Sequence, residues 1–411
     1  MGSCSPQLPL ICLSDQTLKP GSSKWVKVRS DVRKALEDYG CFEAKIDQVS
    51  MELQGSVLKA MEELFALPTE AKQRNVCPKP FAGYFSHNGL SESFGIKDAN
   101  ILEKAHEFTQ QLWPEGNKSI SKMIQLYAEK LAELDMMVRR LILESYGIEY
   151  FIDEHLNSTY YRMRLMKYIA RPDNDITAAV GANVDNGAND NADGDANVND
   201  DGASIGVKVN VDVGDDVNDN DSVNIGVGVD INVETNVNGD LDAEANGDAT
   251  AWVVGAVSGN ASVGAKEANV DAELGLPSHT DKSLSGIIYQ HQIDGLEVKT
   301  KEGKWIRVKP APNTVIVIAG DALCALMNGR IPSPYHRVRV TERKKTRYAA
   351  ALFSYPKEGY IIDSPKELVD EKHPRAFKPF DFVDLFNFYH TEAGRRAPST
   401  LQAFCGVSAG K

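Results

Sequence analysis

Three side chains in this sequence have the types and spacing of a metal site. His279 and Asp281 stand two residues apart, and His336 follows Asp281 by 55 residues. Residues two apart on a strand point to the same side, so the first pair can share one face. Two imidazoles and one carboxylate on one face of a ferrous ion leave positions open for a small co-substrate and dioxygen. The 55-residue interval is long enough for several returning strands to bring His336 back to the pair. Arg347 lies eleven residues past His336. Its guanidinium fork suits the far carboxylate of a diacid, a bidentate task that a lysine ammonium performs less specifically.

A His-x-Asp pair by itself is common by chance and would also describe a surface loop. The surroundings carry the weight. Leu274-Gly275-Leu276-Pro277-Ser278-His279-Thr280-Asp281 is followed in order by Gly320-Asp321, Asn328-Gly329-Arg330, His336-Arg337-Val338 and the run Arg347 to Phe353. This ordered set resembles the plant 2-oxoglutarate- and Fe(II)-dependent dioxygenases. Within them it is most similar to the enzymes that remodel the side chains of aliphatic glucosinolates, the alkenyl- and hydroxyalkyl-forming group. The resemblance covers the chain apart from one long insertion.

The resemblance implies an α+β fold: a double-stranded β-helix (jelly-roll) core, flanking N-terminal helices and a closing C-terminal helix. It implies Fe(II) held by His279, Asp281 and His336. 2-Oxoglutarate would chelate the iron, with its C5 carboxylate on Arg347 and a hydrogen bond from Tyr168. Dioxygen is the other co-substrate, and ascorbate the implied reductant in vitro. The implied reaction turns a methylsulfinylalkyl glucosinolate into an alkenyl glucosinolate while 2-oxoglutarate goes to succinate and carbon dioxide. Alternatives are a hydroxyalkyl product, another small metabolite, or a non-catalytic relative with a blocked site. Two positions depart from the family's motifs. Where the family has Asn-x-Tyr this chain has Met166-Lys167-Tyr168, and where it has Arg-x-Ser this chain has Arg347-Tyr348-Ala349. One hydroxyl contact to the co-substrate is lost, a change of about 1 kcal/mol, so weaker affinity rather than lost function is expected.

Composition narrows the class. The net charge is −13 over 411 residues, but residues 173–270 alone hold twenty acidic and two basic side chains. Removing that local −18 leaves the rest at +5, which suits an anionic substrate and an anionic co-substrate. No basic stripe with interleaved aromatics is present, so nucleic acid is not an expected partner. Six scattered cysteines with no C-x-x-C pair fit a reducing compartment and argue against a zinc or disulfide framework. No run of 18 apolar residues exists, and Pro6 breaks the myristoylation pattern begun by Met1-Gly2-Ser3-Cys4. A monomeric cytoplasmic enzyme without membrane contact is the expectation.

Periodicity then places the elements. A strand is predicted near Leu8 to Leu13, a helix over Ser23 to Glu37, a strand over Gly40 to Lys45, and a helix from Val49 to Phe65 that stops before Pro68. Ser119 to Tyr146 keeps one apolar stripe and should end at Gly147. Phe81 to Phe85 and Ser91 to Asp98 read either as substrate rim or as a surface loop with aromatic anchors. A strand from Arg162 to Ile169 should carry Tyr168 inward. From Gly286 to Phe353 short strands punctuated by Gly, Pro and Asn-Gly suggest a two-sheet barrel. Pro374 to Tyr389 is predicted to be the closing helix, with its aromatics used for packing. Arg343-Lys344-Lys345 reads as a solvated turn, and the remaining histidines as ordinary surface or core residues.

Three segments result: 1–172 with the N-terminal helices and the first strands, a 173–270 insertion, and 271–411 with the metal and co-substrate residues. The insertion is dominated by Asn, Asp, Gly, Val and Ala, with Trp252 its lone aromatic. Such a segment buries too little apolar area to offset the entropy of ordering, so disorder is its expected state. Strict alternation at Val207 to Val213 and Val223 to Val233 is the signal for a marginal β-hairpin or a solenoid-like patch within it. Calcium binding is not expected, because the glycine-rich nonapeptide repeat is missing.

Overall fold

In the computed structural model the residues described are 7–14, 17–75, 83–87, 90–169, 206–213, 227–234, 274–340 and 345–407. The three longest helices begin where the sequence supplies a cap. Ser22 accepts from the Trp25 amide at 3.1 Å to start α1 (Ser23–Tyr39), and Ser50 from the Leu53 amide at 3.1 Å to start α2 (Met51–Ala66). After α3 (Thr69–Lys72) and α4 (Leu102–Leu112), Asn117 does the same for α5 (Lys118–Ser145), accepting from Ile120 at 3.1 Å. Each cap is worth about 1 kcal/mol. The stripe read from the sequence is buried along α5, from Ile120 through Ile124, Tyr127, Leu131, Leu134 and Val138 to Ile142. The helix stops as expected: Gly147 takes φ 73° and its N–H returns to the Glu144 carbonyl.

Two sheets form the centre. The larger has eight strands in the order β1 (Leu10–Cys12), β2 (Cys41–Lys45), β12 (Thr314–Ala319), β9 (Ser285–His291), β14 (Arg347–Pro356), β5 (Thr159–Tyr168), β4 (Ser91–Lys97), β3 (Gly83–His87). The smaller has four: β11 (Trp305–Arg307), β10 (Leu296–Lys299), β13 (His336–Arg339), β8 (Leu274–His279). Alternation sorts side chains between two apolar layers. On β9, β12 and β14, Ile287, Val317 and Leu352 join the helix-side core. Their neighbours Ile288, Ile318 and Phe353 join Leu296, Val298 and Ile306 of the smaller sheet in the layer between sheets. Each fully buried Leu, Ile or Phe contributes roughly 1.5–3 kcal/mol. Covering both faces of the larger sheet explains why its strands read as nearly continuous apolar runs. This is the predicted double-stranded β-helix with helices on the outside.

A polar knot ties α5 to the sheet. Buried Asp135 and Arg139 pair at 2.8 Å, and Arg139 also donates to Tyr161 and Thr159 of β5. Asp135 accepts from Tyr161 and from Ser285 of β9. Nothing in the apolar stripe announces this knot, because its members come from three separate parts of the chain.

Two expectations change. The closing helix begins at Phe382 and runs to His390, not from Pro374. Pro379 disfavours helix at the residue before it. Phe380–Asp381 instead forms strand β16 against β15 (Ile361–Ile362), and Asp381 caps the helix by accepting from Val383 at 2.7 Å. Short helices Glu392–Arg396 and Thr400–Cys405 follow. The 83–87 and 91–97 stretches are not surface loop but an antiparallel pair at the edge of the large sheet. Phe81 and Ala82 lie outside the described residues, as do Arg343, Lys344 and the proposed segment limits near 173 and 270.

The chain divides into two units, one of residues 1–180 with 263–411 and the other Gly181–Ser262. In the second, β6 (Gly206–Val213) and β7 (Val227–Glu234) pair antiparallel, with Val207 opposite Val233 and Val213 opposite Val227. The period-2 alternation therefore does mark a hairpin; the rest of the insertion, on which the expectation of disorder mainly falls, lies outside the described residues.

Candidate active site

Strands β8 and β13 are antiparallel neighbours, and their register sets His336 directly opposite His279. The imidazole centroids are 4.3 Å apart. Asp281, two residues past His279, turns its carboxylate between them. One oxygen is 3.7 Å from His279 Nε2, and the other is 3.7 Å from His336 Nε2. These separations exceed a hydrogen bond, so the three groups converge without satisfying one another. Asp281 Oδ2 is buried and has no hydrogen-bond partner. Among the described residues these three are the one group of His, Cys, Asp or Glu whose donor atoms gather within 4.8 Å.

The chain prepares both imidazoles as ligands. His279 Nδ1 lies 2.8 Å from the Pro277 carbonyl, and His336 Nδ1 lies 3.2 Å from the Pro334 carbonyl. Each Nδ1–H donates to its carbonyl, which leaves each Nε2 lone pair facing Asp281. Burial, reinforced by the neighbouring His336, pushes the His279 imidazole down to about 4. At neutral pH it is therefore unprotonated and able to bind a cation. A buried carboxylate oxygen without a partner and two oriented lone pairs fit a divalent metal.

The loop carrying Asp281 is itself clamped. Lys282 Nζ donates to Asp321 at 2.6 Å and to Thr280 Oγ1 at 2.8 Å, and the Asp321 amide donates to the Asp281 carbonyl at 2.7 Å. Both charged groups are buried. The ammonium also lies 5.0 Å from the Tyr389 ring of the Phe382–His390 helix. Sequence reasoning picked out Gly320-Asp321 as a motif and did not pair it with Lys282. The adjacency of a lysine to a ligand carboxylate was the available signal.

Arg347 and Tyr168 are also brought together, as register partners on β14 and β5. Arg347 is 1% exposed. Its Nη2 donates to Gln290 Oε1 at 2.7 Å, its guanidinium lies 4.8 Å from the Tyr168 ring, and its Nε and Nη1 have no partner. Burial pulls its pKa down, opposed by the Tyr168 phenol. An arginine does not lose its proton in a protein, so this is a buried cation with two free donors and no carboxylate. Tyr168 donates its hydroxyl to the Met166 thioether at 3.7 Å, a weak acceptor that a carboxylate would replace. Two glycines admit the pair. A Cβ on Gly295 would stand 2.9 Å from Arg347 Nε, and one on Gly275 2.6 Å from the Tyr168 ring.

Gln290 was not anticipated. It accepts from Arg347 and Leu296 and donates to Val308, so both ends of its amide are anchored where it meets the guanidinium. The two departures from the family's motifs also meet: Ala349 is the register partner of Met166, with Gln290 opposite Ala349 on the other side. A cross-strand site expected to be polar is apolar here. Of the remaining histidines, His87 lines a cavity beside Tyr168, and others have partners or burial of their own. His106 bonds Ser121, His373 bonds Asp370, His291 neighbours Tyr289, and His155 is wholly buried.

A cavity of about 160 Å³ opens beside Tyr168 and Pro277, walled by β3, β4, β5 and β8. Phe85, Met166, Leu276 and Pro277 make it apolar, and Ser91, Ser93 and Arg164 give it polar points. Strands β3 and β4, from the stretch read as either rim or loop, therefore form part of the wall of this cavity.

Residues 264–356 match the 2OG-Fe(II) oxygenase superfamily, and residues 8–115 match the N-terminal region described as non-haem dioxygenase in morphine synthesis. The chain is 98% identical to 2-oxoglutarate-dependent dioxygenase AOP3 of Arabidopsis thaliana over 411 residues, covering 100% of both. It is 61% identical to 2-oxoglutarate-dependent dioxygenase AOP2 of the same plant over 439 residues, covering 99% of this chain and 100% of that one. The rice dioxygenase for auxin oxidation shares the fold, with a TM-score of 0.64 at 21% identity over 97% of this chain and 100% of that one. With likeness running the full length and a His-Asp-His group able to hold a metal ion within the matched region, the chain belongs to the Fe(II)- and 2-oxoglutarate-dependent dioxygenases.

Proposed function

We propose that this dioxygenase acts on the side chain of a methylsulfinylalkyl glucosinolate and yields the alkenyl glucosinolate, using the residues assembled above. In this reading His279 Nε2, His336 Nε2 and the Asp281 carboxylate hold Fe(II). Arg347 takes the C5 carboxylate of 2-oxoglutarate through its free Nε–H and Nη1–H, and Tyr168 adds a hydrogen bond. When bound, iron, 2-oxoglutarate and dioxygen together supply an oxidant strong enough to take hydrogen from an unactivated C–H bond. The chain's part is geometric. The Pro277 and Pro334 carbonyls fix the imidazoles, Lys282 and Asp321 fix the loop bearing Asp281, and the apolar layer between the sheets keeps water from the reacting centre.

The observation that carries the reading is the coexistence of two unsatisfied buried groups of opposite charge, Asp281 Oδ2 and the Arg347 guanidinium. Leaving both open costs stability, and a metal on one with a diacid on the other removes both costs. The adjoining cavity supports the substrate class. Its apolar wall fits an alkyl chain, and its polar points fit a charged head. Among the described residues no helix is long and apolar enough to cross a membrane. A cytoplasmic monomer working on a small anion, without nucleic acid, completes the reading.

The test is anaerobic reconstitution with Fe(II) and 2-oxoglutarate, followed by oxygen, ascorbate and a panel of methylsulfinylalkyl glucosinolates. Substrate-dependent succinate and a product of alkenyl mass are expected. A hydroxyalkyl mass would move the assignment to that product, and no substrate-dependent succinate with any member would overturn the substrate class.

A further inference from the structure

Gln290 joins the two sheets at the point where Arg347 is held. It stands two residues past Ile288 on β9 and so shares the face that packs into the layer between the sheets. Arg347 has the same outlook, since Ala351 and Phe353 face that layer from β14 at two-residue steps. Across the layer Val298 of β10 is buried there too. Val298 is the register partner of His336, and His336 is the partner of His279. Register partners project to one side of a sheet. The two imidazoles and Arg347 therefore face one interior from opposite sheets.

The hydrogen bonds of Gln290 run to both sheets. Its Oε1 accepts from Arg347 Nη2 at 2.7 Å on the larger sheet and from the Leu296 amide at 3.1 Å on the smaller. Its Nε2 donates to the Val308 carbonyl at 3.0 Å, just past β11. Leu296 pairs with Val338, two residues beyond His336. One amide thus ties the guanidinium to the sheet that carries both imidazoles. It does so without neutralising the charge, and Arg347 Nε and Nη1 keep no partner. A carboxylate in this place would pair with Arg347 as Asp135 pairs with Arg139 at 2.8 Å, and the cation would have little left to offer a ligand. Asp294, whose charge also reaches Arg347, is already paired with Arg307 at 2.7 Å.

We propose that Gln290 is a positioning residue for the co-substrate. Its tether to the smaller sheet aims the Arg347 guanidinium at the far carboxylate of 2-oxoglutarate, and its neutrality keeps that cation available. This rests on the reading above in which Arg347 takes the C5 carboxylate. The effect of Gln290 is confined to that end of the co-substrate, because the end that meets the metal corner does not depend on Arg347.

The experiment measures dissociation constants of two 2-oxo acids from the absorption band of the anaerobic Fe(II) complex. The probes are 2-oxoglutarate and 2-oxopentanoate, which share the metal-binding end and differ in the far carboxylate. The band with 2-oxopentanoate also reports that the metal corner is assembled in each variant. Wild type should bind 2-oxoglutarate at least about tenfold more tightly, the scale of one charge-assisted hydrogen bond. Gln290→Glu, close in shape to the native residue, should erase that preference by weakening 2-oxoglutarate alone. Gln290→Leu leaves the charge free but cuts the tether, and should lose part of the preference. A merely structural glutamine would weaken both probes together. An intact preference in Gln290→Glu, or equal weakening of the two probes, would overturn the positioning role. Retention of the wild-type preference by Arg347→Ala would instead overturn the reading of Arg347 beneath it, and the role of Gln290 with it.

Discussion

Two arginines, Arg139 and Arg347, are each about 1% exposed, yet the chain treats them in opposite ways. Around Arg139 the protein supplies what a buried cation needs: the Asp135 carboxylate at 2.8 Å and two hydroxyls, with the charged form favoured. Around Arg347 it supplies one neutral amide oxygen and an aromatic face, and burial pulls the pKa down. The first arrangement pairs the charge with a carboxylate and leaves only Nη1 without a partner; the second is the open one, with no hydrogen-bonded carboxylate and with both Nε and Nη1 lacking a partner. Burial alone does not distinguish structure from function; the inventory of partners does. The metal corner belongs with the open class, since its carboxylate oxygen also lacks a partner.

The largest effect expected from this contrast is at the metal corner. Replacing His279, Asp281 or His336 with Ala should abolish iron-dependent succinate formation. The metal-free thermal midpoint should stay near wild type, because no hydrogen bond joins the three. Near-normal turnover in any one of them would remove it from the site.

Next come the two arginines themselves. Arg139→Ala should cost about 3–5 kcal/mol of folding stability, since it strands Asp135 in the core. Arg347→Ala should leave denaturant stability close to wild type and weaken 2-oxoglutarate binding by a similar 3–5 kcal/mol, with Arg347→Lys recovering only part. Urea melts and 2-oxoglutarate titrations of both proteins test the contrast; it fails if the two variants exchange these behaviours.

A smaller effect concerns the apolar cross-strand pair. Met166→Asn alone should cost about 1–3 kcal/mol by burying an amide without a partner. Adding Ala349→Ser should recover part of that and tighten 2-oxoglutarate binding. A double-mutant cycle measures the coupling, and strictly additive effects would show that the register contact has no energetic meaning.

The smallest is a pH slope. His155 is wholly buried and burial holds its pKa well below the ordinary 6.5, with the Arg139 charge acting in the same direction. Below 6.5 the unfolded chain takes up a proton that the folded chain refuses. Stability should be full above that pH and fall as pH drops beneath it. His155→Phe should flatten this part of a plot of thermal midpoint against pH, and an unchanged slope would place the titration elsewhere.

Much of this protein was legible in the amino-acid order. The apolar stripe from Ile120 to Ile142, the Ser22, Ser50 and Asn117 caps, and the halt at Gly147 are local rules acting over a few residues. The grouping of the donors was legible too, because the types His, Asp, His and Arg are chemically scarce in such an order; the shared strand face was not what joined the first pair, since β8 ends at His279 and Asp281 lies in the loop beyond it. What the sequence could not decide depends on register between distant strands. Only pairing of β14 with β5 makes the Met166 and Ala349 departures one contact, and only β9 beside β14 brings Gln290 to Arg347. The closing helix was misplaced because aromatic periodicity near Phe377 and Phe380 outweighed a single proline, whereas the β15–β16 pairing that claims Phe380 is a long-range contact. The same holds for the Asp135 knot and the Lys282–Asp321 clamp. Their members are ordinary residues in the sequence, and they gain meaning when folding removes water from around them and leaves each charge dependent on whichever group the tertiary structure has placed beside it.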